Sequence, residues 1–270
     1  MDKFLKTNRE LWDILATIHH ETEFYDVEGF LKGKQTLDPI EIDELPDLRG
    51  KSLLHLQCHF GMDTLSLAKL GAIATGVDFS STAIELAKAL SEAAGIDARF
   101  ICSNVYDLPE VLDEKFDIVF TSGGVLVWLP DLDQWAKIIS ASLKPGGCFY
   151  IREDHPFAYI FDDEKDVHEL KVKFPYFQSD RPLMFETEGS YADKDAKTGK
   201  MRSYEWNHTI SQIINALINN GLRIDHFNEF PVSSYQALPF MEKNVDGRWI
   251  LPQHENSVPL TFSIKATKVI

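Results

Sequence analysis

Between residues 51 and 151 the chain alternates short apolar runs with stretches of helical spacing. The runs at 52–57, 72–77, 99–102, 116–120 and 148–151 have the length and composition of buried strands. Between them, Leu65, Leu67, Ala68 and Leu70 suit one helix. Ile84, Ala87, Leu90 and Ala94 suit a second, and Leu132, Trp135, Ile138, Ile139 and Leu143 a third. Ser80 or Ser81 and Asp131 stand where N-caps belong, and Gly71 and Gly95 where helices stop. Lys144-Pro145-Gly146-Gly147 supplies a turn into the fifth strand. Five strands alternating with helices imply right-handed crossovers and a mostly parallel sheet covered on both faces.

Outside that stretch the pattern changes. Within residues 1–48, Leu11, Trp12, Leu15 and Ile18 share one face of a short amphipathic helix, and the acidic segment 41–47 reads as a linker. Residues 154–207 interrupt the alternation with two strands, 184–191 and 200–206, around the polar turn 193–199, which predicts a hairpin. Ile210, Ile213, Ile214, Leu217 and Ile218 then repeat at helical spacing up to Gly221, and 222–230 reads as a sixth strand. Leu260, Phe262 and Ile264 mark a final half-buried strand. The implied organisation is a helical cap (1–48), a core (49–153), an inserted lid, substrate or dimerisation segment (154–207) and the remainder of the core sheet (208–270).

Charge narrows the partners. A formal net charge of −15, with no local block of Lys and Arg, disfavours nucleic acid and anionic membrane surfaces. The three cysteines, Cys58, Cys102 and Cys148, are scattered and suit a reducing compartment, packing as small hydrophobes. No signal-like or membrane-length apolar run occurs, so a soluble, cytoplasmic protein is expected. His19-His20-Glu21 lacks a further ligand at matching spacing, so no metal is expected.

Ligands of open parallel sheets bind beyond the carboxyl ends of the strands. The first strand leads into Gln57-Cys58-His59-Phe60-Gly61, and the second ends at Asp78. A carboxylate there can accept both vicinal hydroxyls of a ribose. Turn and acid alone are shared with nicotinamide dehydrogenases. Two further ends add 103–109 (Ser103-Asn104-Val105-Tyr106-Asp107-Leu108-Pro109) and Phe116-Asp117-Ile118-Val119-Phe120, then 125–131 and 143–147. In this order the series resembles class I S-adenosylmethionine-dependent methyltransferases, most closely a small-molecule subgroup with His55-Leu56-Gln57-Cys58-His59-Phe60-Gly61 in its first loop.

The resemblance is specific over about 48–153. It implies a Rossmann-like, doubly wound α/β fold with a mostly parallel seven-stranded sheet and an antiparallel last strand, here with a β-hairpin insertion. It also implies S-adenosylmethionine as cofactor. Gln57 and Gly61 would face its methionine end, Asp78 its ribose, and Phe79 the adenine as an apolar wall. Asn104 would accept from the adenine amino group and Val105 would donate its N–H to the ring. Ser122, Gly123 and Gly124 would lie beside the methionine portion. Where the family usually has an acid and three glycines at alternate positions, this chain has His55, Gln57, His59 and Gly61. Gln57, Asp63 or a residue of the N-terminal helix would replace the acid. His55 itself, inside an apolar strand, is expected to be a hydrogen-bonded core residue.

The expected reaction is in-line displacement of the sulfonium methyl by a small-molecule acceptor, with His155, His208 or Glu153 as candidate bases. Tyr204-Glu205-Trp206-Asn207-His208 divides evenly between hairpin packing and substrate contact. Trp12, Phe24, Tyr25, Phe157, Tyr159, Tyr191 and Trp206 suggest a partly apolar pocket, though the same segments could form a homodimer interface. Two alternatives remain at this level: a nicotinamide-dependent dehydrogenase and a non-catalytic S-adenosylmethionine-binding protein.

Overall fold

A computed structural model describes residues 2–177 and 181–269. Its centre is a seven-stranded sheet in the order β3-β2-β1-β4-β5-β11-β8. The strands are β1 (Ser52–Leu56), β2 (Ile73–Asp78), β3 (Arg99–Cys102), β4 (Phe116–Thr121), β5 (Leu143–Asp154), β8 (Leu222–Phe230) and β11 (Thr261–Lys268). β11 runs antiparallel between β5 and β8; the pairings among β1 to β5 are parallel. The expected doubly wound sheet with an antiparallel last strand is therefore present. β5 extends through Glu153 and Asp154, three residues beyond the apolar run that marks it in the sequence.

Helices cover both faces. α4 (Met62–Lys69) and α5 (Ser81–Ala94) follow β1 and β2; the short α6 (Leu108–Val111) follows β3. α7 (Leu132–Ser142) and α8 (Ile210–Asn219) pack on the face carrying Val119, Phe149, Phe262 and Ile264. The caps are largely those the sequence marks. Ser80 accepts from the N–H of Ala83, Asp131 from that of Gln134, and Gly95 ends α5 in the left-handed conformation. The insertion forms its hairpin from β6 (Leu183–Thr187) and β7 (Met201–Glu205). A second two-stranded piece, β9 (Glu242–Lys243) with β10 (Trp249–Ile250), lies in the loop before β11.

The N-terminal segment departs from expectation. α1 (Lys3–His20) runs for 18 residues, and α2 (Val27–Leu31) buries Phe30 among Phe60, Leu65, Ile84 and Phe100. The acidic stretch read as a linker is a helix, α3 (Pro39–Glu44), with Asp38 and Glu41 in a capping box. Glu41 forms a buried ion pair with Arg152 at 3.1 Å, and Glu44 accepts from the Tyr150 hydroxyl. Acidity marked a solvated segment in the sequence. In the fold it is consumed by a cation from β5, a long-range partner that no local pattern reveals. Among the described residues no helix is long and apolar enough to cross a membrane.

Candidate active site

Strand order reverses between β1 and β4, so the loops after these two strands open a crevice at the carboxyl edge of the sheet. β2 and β3 lie beside β1. The four predicted cofactor-contact segments therefore come together at one edge.

The first loop keeps a glycine-type backbone without the glycines. Gln57 has φ 58° and His59 φ 50°, both left-handed, and Gly61 has φ 82°. Each left-handed non-glycine residue costs about 1–2 kcal/mol. The bend is retained at that cost and places two side chains at positions where the family resemblance implied glycine. Gln57 donates from Nε2 to the Val125 carbonyl at 3.3 Å, whereas its Oε1 is buried without a hydrogen-bond partner. Gly61 meets a packing need, because a Cβ there would lie 2.7 Å from the Phe100 ring.

Asp78 is buried at the end of β2. Its Oδ1 accepts from the Ser80 N–H and its Oδ2 from the His59 N–H, both at 2.9 Å. Burial nevertheless pushes its carboxyl up to about 6, with Asp13 adding repulsion against these two bonds. Each oxygen keeps a lone pair for a ribose hydroxyl. Phe79, next in the chain, is half-buried. Asn104 is also buried, but its Oδ1 already accepts from the Tyr106 N–H at 3.0 Å, so it caps a short 3-10 turn; Val105 is buried beside it. Ser122 pairs with Nε2 of His55, whose Nδ1 meets Thr64. His55 is thus a core histidine, pushed down by burial to about 3. Cys58 is buried as expected, whereas Cys102 is exposed.

The last shared segment is the 122–129 loop, and Glu153 holds it. Its carboxylate accepts the N–H groups of Gly124, Val125 (2.8 Å) and Leu126 (2.9 Å). Burial and the adjacent Asp154 raise its pKa against these bonds. His155 is likewise committed, with Nε2 on Glu229 at 2.9 Å and Nδ1 accepting from the Phe157 N–H. In this structure both side chains act as anchors, which departs from their expected part as bases. His208 differs: Nε2 bonds the Leu129 carbonyl at 2.7 Å, so that nitrogen carries the proton and Nδ1 presents a lone pair. It borders a water-sized cavity of about 10 Å³ together with Glu153, Asp154, Tyr159 and Asn207. Of the even-handed segment 204–208, Tyr204 and Trp206 pack against Phe4, while Asn207 and His208 reach this cavity.

Residues of α1 close the mouth: Trp12, one of the aromatics of the expected pocket, with Asp13 and His19, for which the sequence suggested no such part. Asp13 of α1 accepts from the Ser80 hydroxyl at 2.7 Å and the Thr82 N–H at 3.2 Å. Trp12 packs edge-on to Trp128 and His59, and His19 pairs with His59 at 3.0 Å and with Ser190 at 2.6 Å. Burial pushes His19 down to about 4 and depresses His59, so this pair is neutral and shares a single proton between its facing nitrogens. α1 thereby lies across the ends of β1 and β2. Its sequence signals were an apolar face and the aromatic Trp12.

An adenosylmethionine-like ligand fits this edge. The orphaned Oε1 of Gln57 suits an ammonium group, the free lone pairs of Asp78 suit vicinal hydroxyls, and Gly123 and Gly124 permit close approach. A Cβ on Gly123 would lie 3.3 Å from the Arg152 guanidinium.

An open sheet with these groups at its switch point is a Rossmann-like adenosyl-binding domain. Residues 53–147 match the family model described as a methyltransferase domain. The ubiquinone biosynthesis O-methyltransferase of Coxiella burnetii is 31% identical over 128 residues, covering 46% of this chain and 54% of that relative's length. The chain thus spans about half the length of the curated relatives it matches. An S-adenosylmethionine-dependent methyltransferase from Mesorhizobium loti superposes with TM-score 0.62 at 21% identity, covering 88% of this chain and 99% of that one. The cyclase SpnF superposes with TM-score 0.51 at 16% identity, covering 96% and 81%. Residues 53–147 of this chain are therefore similar to a methyltransferase domain, and the whole chain shares the Rossmann-like fold of S-adenosylmethionine-dependent methyltransferases.

Proposed function

We propose that this protein transfers a methyl group from S-adenosylmethionine to a small-molecule acceptor. The observation that carries the reading is the first loop: it keeps the left-handed bend, is pinned by Asp78, and leaves Gln57 Oε1 buried without a partner. When bound, the cofactor supplies an activated methyl on a sulfonium centre. The chain's own contribution is alignment and exclusion of water. Asp78 orients the ribose, Gln57 receives the ammonium, and the loop held by Glu153 forms the wall beside the methyl. His208, through Nδ1, takes the acceptor's proton. Phe79, Asn104 and Val105 enclose the adenine. α1 and the hairpin limit the acceptor to small molecules by covering the edge.

Fold alone does not decide activity, since the same architecture serves a cyclase. Calorimetry with S-adenosylmethionine, S-adenosylhomocysteine and NAD, followed by labelled-methyl transfer to pooled small-molecule acceptors, tests the reading. Saturable binding of both sulfur ligands with transfer is expected. Binding of NAD alone would end it.

A further inference from the structure

Resting on the methyl-transfer reading, we infer that the acceptor is an amine, bound as its ammonium against Asp154 within a group of tyrosine rings. Three tyrosines from separate segments lie near this acid, Tyr159 after β5, Tyr191 of the hairpin and Tyr235 after β8, and Tyr25 of the N-terminal cap joins them through Tyr191. Tyr159 donates its hydroxyl to Oδ2 of Asp154 at 3.0 Å. The Tyr235 ring centroid is 6.1 Å from that of Tyr191, and the Tyr191 hydroxyl meets that of Tyr25. Asp154 itself is 7% exposed, and a Cβ on Gly124 would lie 3.9 Å from its Oδ2. The acid therefore borders the glycine turn expected beside the reacting methyl.

The neighbouring charges leave Asp154 as the group available to a ligand. Arg152 is matched by Glu41, Glu153 is committed to four backbone N–H groups, and His155 is held by Glu229. Burial raises the pKa of Asp154 although the charge of Arg152 lowers it, so the carboxylate is incompletely compensated. Phenol rings attract an ammonium through their negative faces, and a carboxylate completes the match. An anionic acceptor would meet two carboxylates here. Tyr159, Leu126, Val127, Pro156 and Ile213 line the cavity beside the two carboxylates, so its walls are partly apolar.

The chemistry balances. The bound ammonium passes a proton to Nδ1 of His208, which borders the same cavity. The freed nitrogen lone pair forms the new N–C bond. The C–S bonding pair returns to sulfur, leaving a neutral thioether and a methylated ammonium beside Asp154.

The test uses the full chain saturated with S-adenosylhomocysteine and titrated with choline or with its uncharged isostere, in which a tert-butyl group replaces trimethylammonium. Choline is expected to bind at least about tenfold tighter than the isostere. Asp154→Asn and Tyr235→Leu should each abolish most of that preference, with S-adenosylhomocysteine affinity held within about threefold. Equal binding of choline and isostere to the wild-type protein would overturn the inference, whatever the folding of the variants. Undiminished preference in a folded Asp154→Asn would do the same. Either result leaves methyl transfer standing, whereas failure to bind S-adenosylhomocysteine removes both readings.

Discussion

The backbone N–H of His59 donates to Oδ2 of Asp78 at 2.9 Å, so the acid placed for the ribose also holds the loop placed for the methionine end. On the proposed reading, ribose recognition and loop shape share one carboxylate. Asp78→Ala should abolish adenosyl-ligand binding and cost about 1–3 kcal/mol of stability, because two buried N–H groups lose their acceptor. Calorimetry and urea denaturation read the two effects separately. Unchanged affinity would refute the ribose assignment.

The same residue predicts a pH dependence. Its folded pKa, about 6, lies above the unfolded value, so the native state binds more protons between roughly pH 4 and 6. That stabilises the folded form at low pH, and the contribution is lost as pH rises through 6. Ribose hydroxyls need the ionised acid. S-adenosylhomocysteine affinity should therefore weaken below about pH 6, and Asp78→Asn should remove that inflection.

Glu153 borders the cavity yet serves three N–H groups of the 124–126 segment. Glu153→Gln leaves one acceptor oxygen in place of two and should lower stability by about 1–3 kcal/mol. Ligand affinity should fall with it as the loop loosens. If transfer stopped while stability and cofactor affinity stayed at wild-type levels, Glu153 would have a direct chemical part.

The left-handed first loop makes a contrast between neighbours. Gln57→Gly relieves about 1–2 kcal/mol of backbone strain, offset by roughly 0.4–1 kcal/mol of extra unfolded-state freedom. Its stability should stay near wild type while cofactor affinity drops. His59→Gly gains the same relief but removes the ring between Trp12 and His19, and should release α1. Faster proteolysis within residues 3–20 is the readout.

Breaking the buried pair by Arg152→Met should cost about 3–5 kcal/mol, because Glu41 is left buried and uncompensated. Adding Glu41→Leu should recover part of this, although Glu41 also accepts the Asp38 N–H of the capping box. A fully additive double variant would show that the two residues are uncoupled.

The alternating core was legible because its cues are local. Ser80, Asp131 and Gly95 sit at the helix ends that their chemistry marks, and strands 99–102 and 222–230 appear with the bounds their apolar pattern indicated. The first-loop departure was visible as three missing family residues. That Gln57 and His59 would still adopt the glycine conformation was not, since the tertiary fold imposes it against local preference. Glu41 and Arg152 are 111 residues apart, and charge alone assigned the former to solvent. Tyr235 lay in a stretch with neither periodicity nor motif. Its place near Asp154 follows from the path of the chain after β8.

α1 is fastened at several points. Asn8 exchanges two hydrogen bonds with the backbone of Tyr204, Asp13 caps α5, and Phe30, just downstream, is wholly buried. Lifting of this helix is the expected route of ligand exchange, because it lies across the edge where the ligand would bind. Entry then becomes a gated event. At rising ligand concentration the observed association rate should level off at the frequency of opening instead of climbing with collisions, and severing Asn8 from the hairpin should raise that plateau.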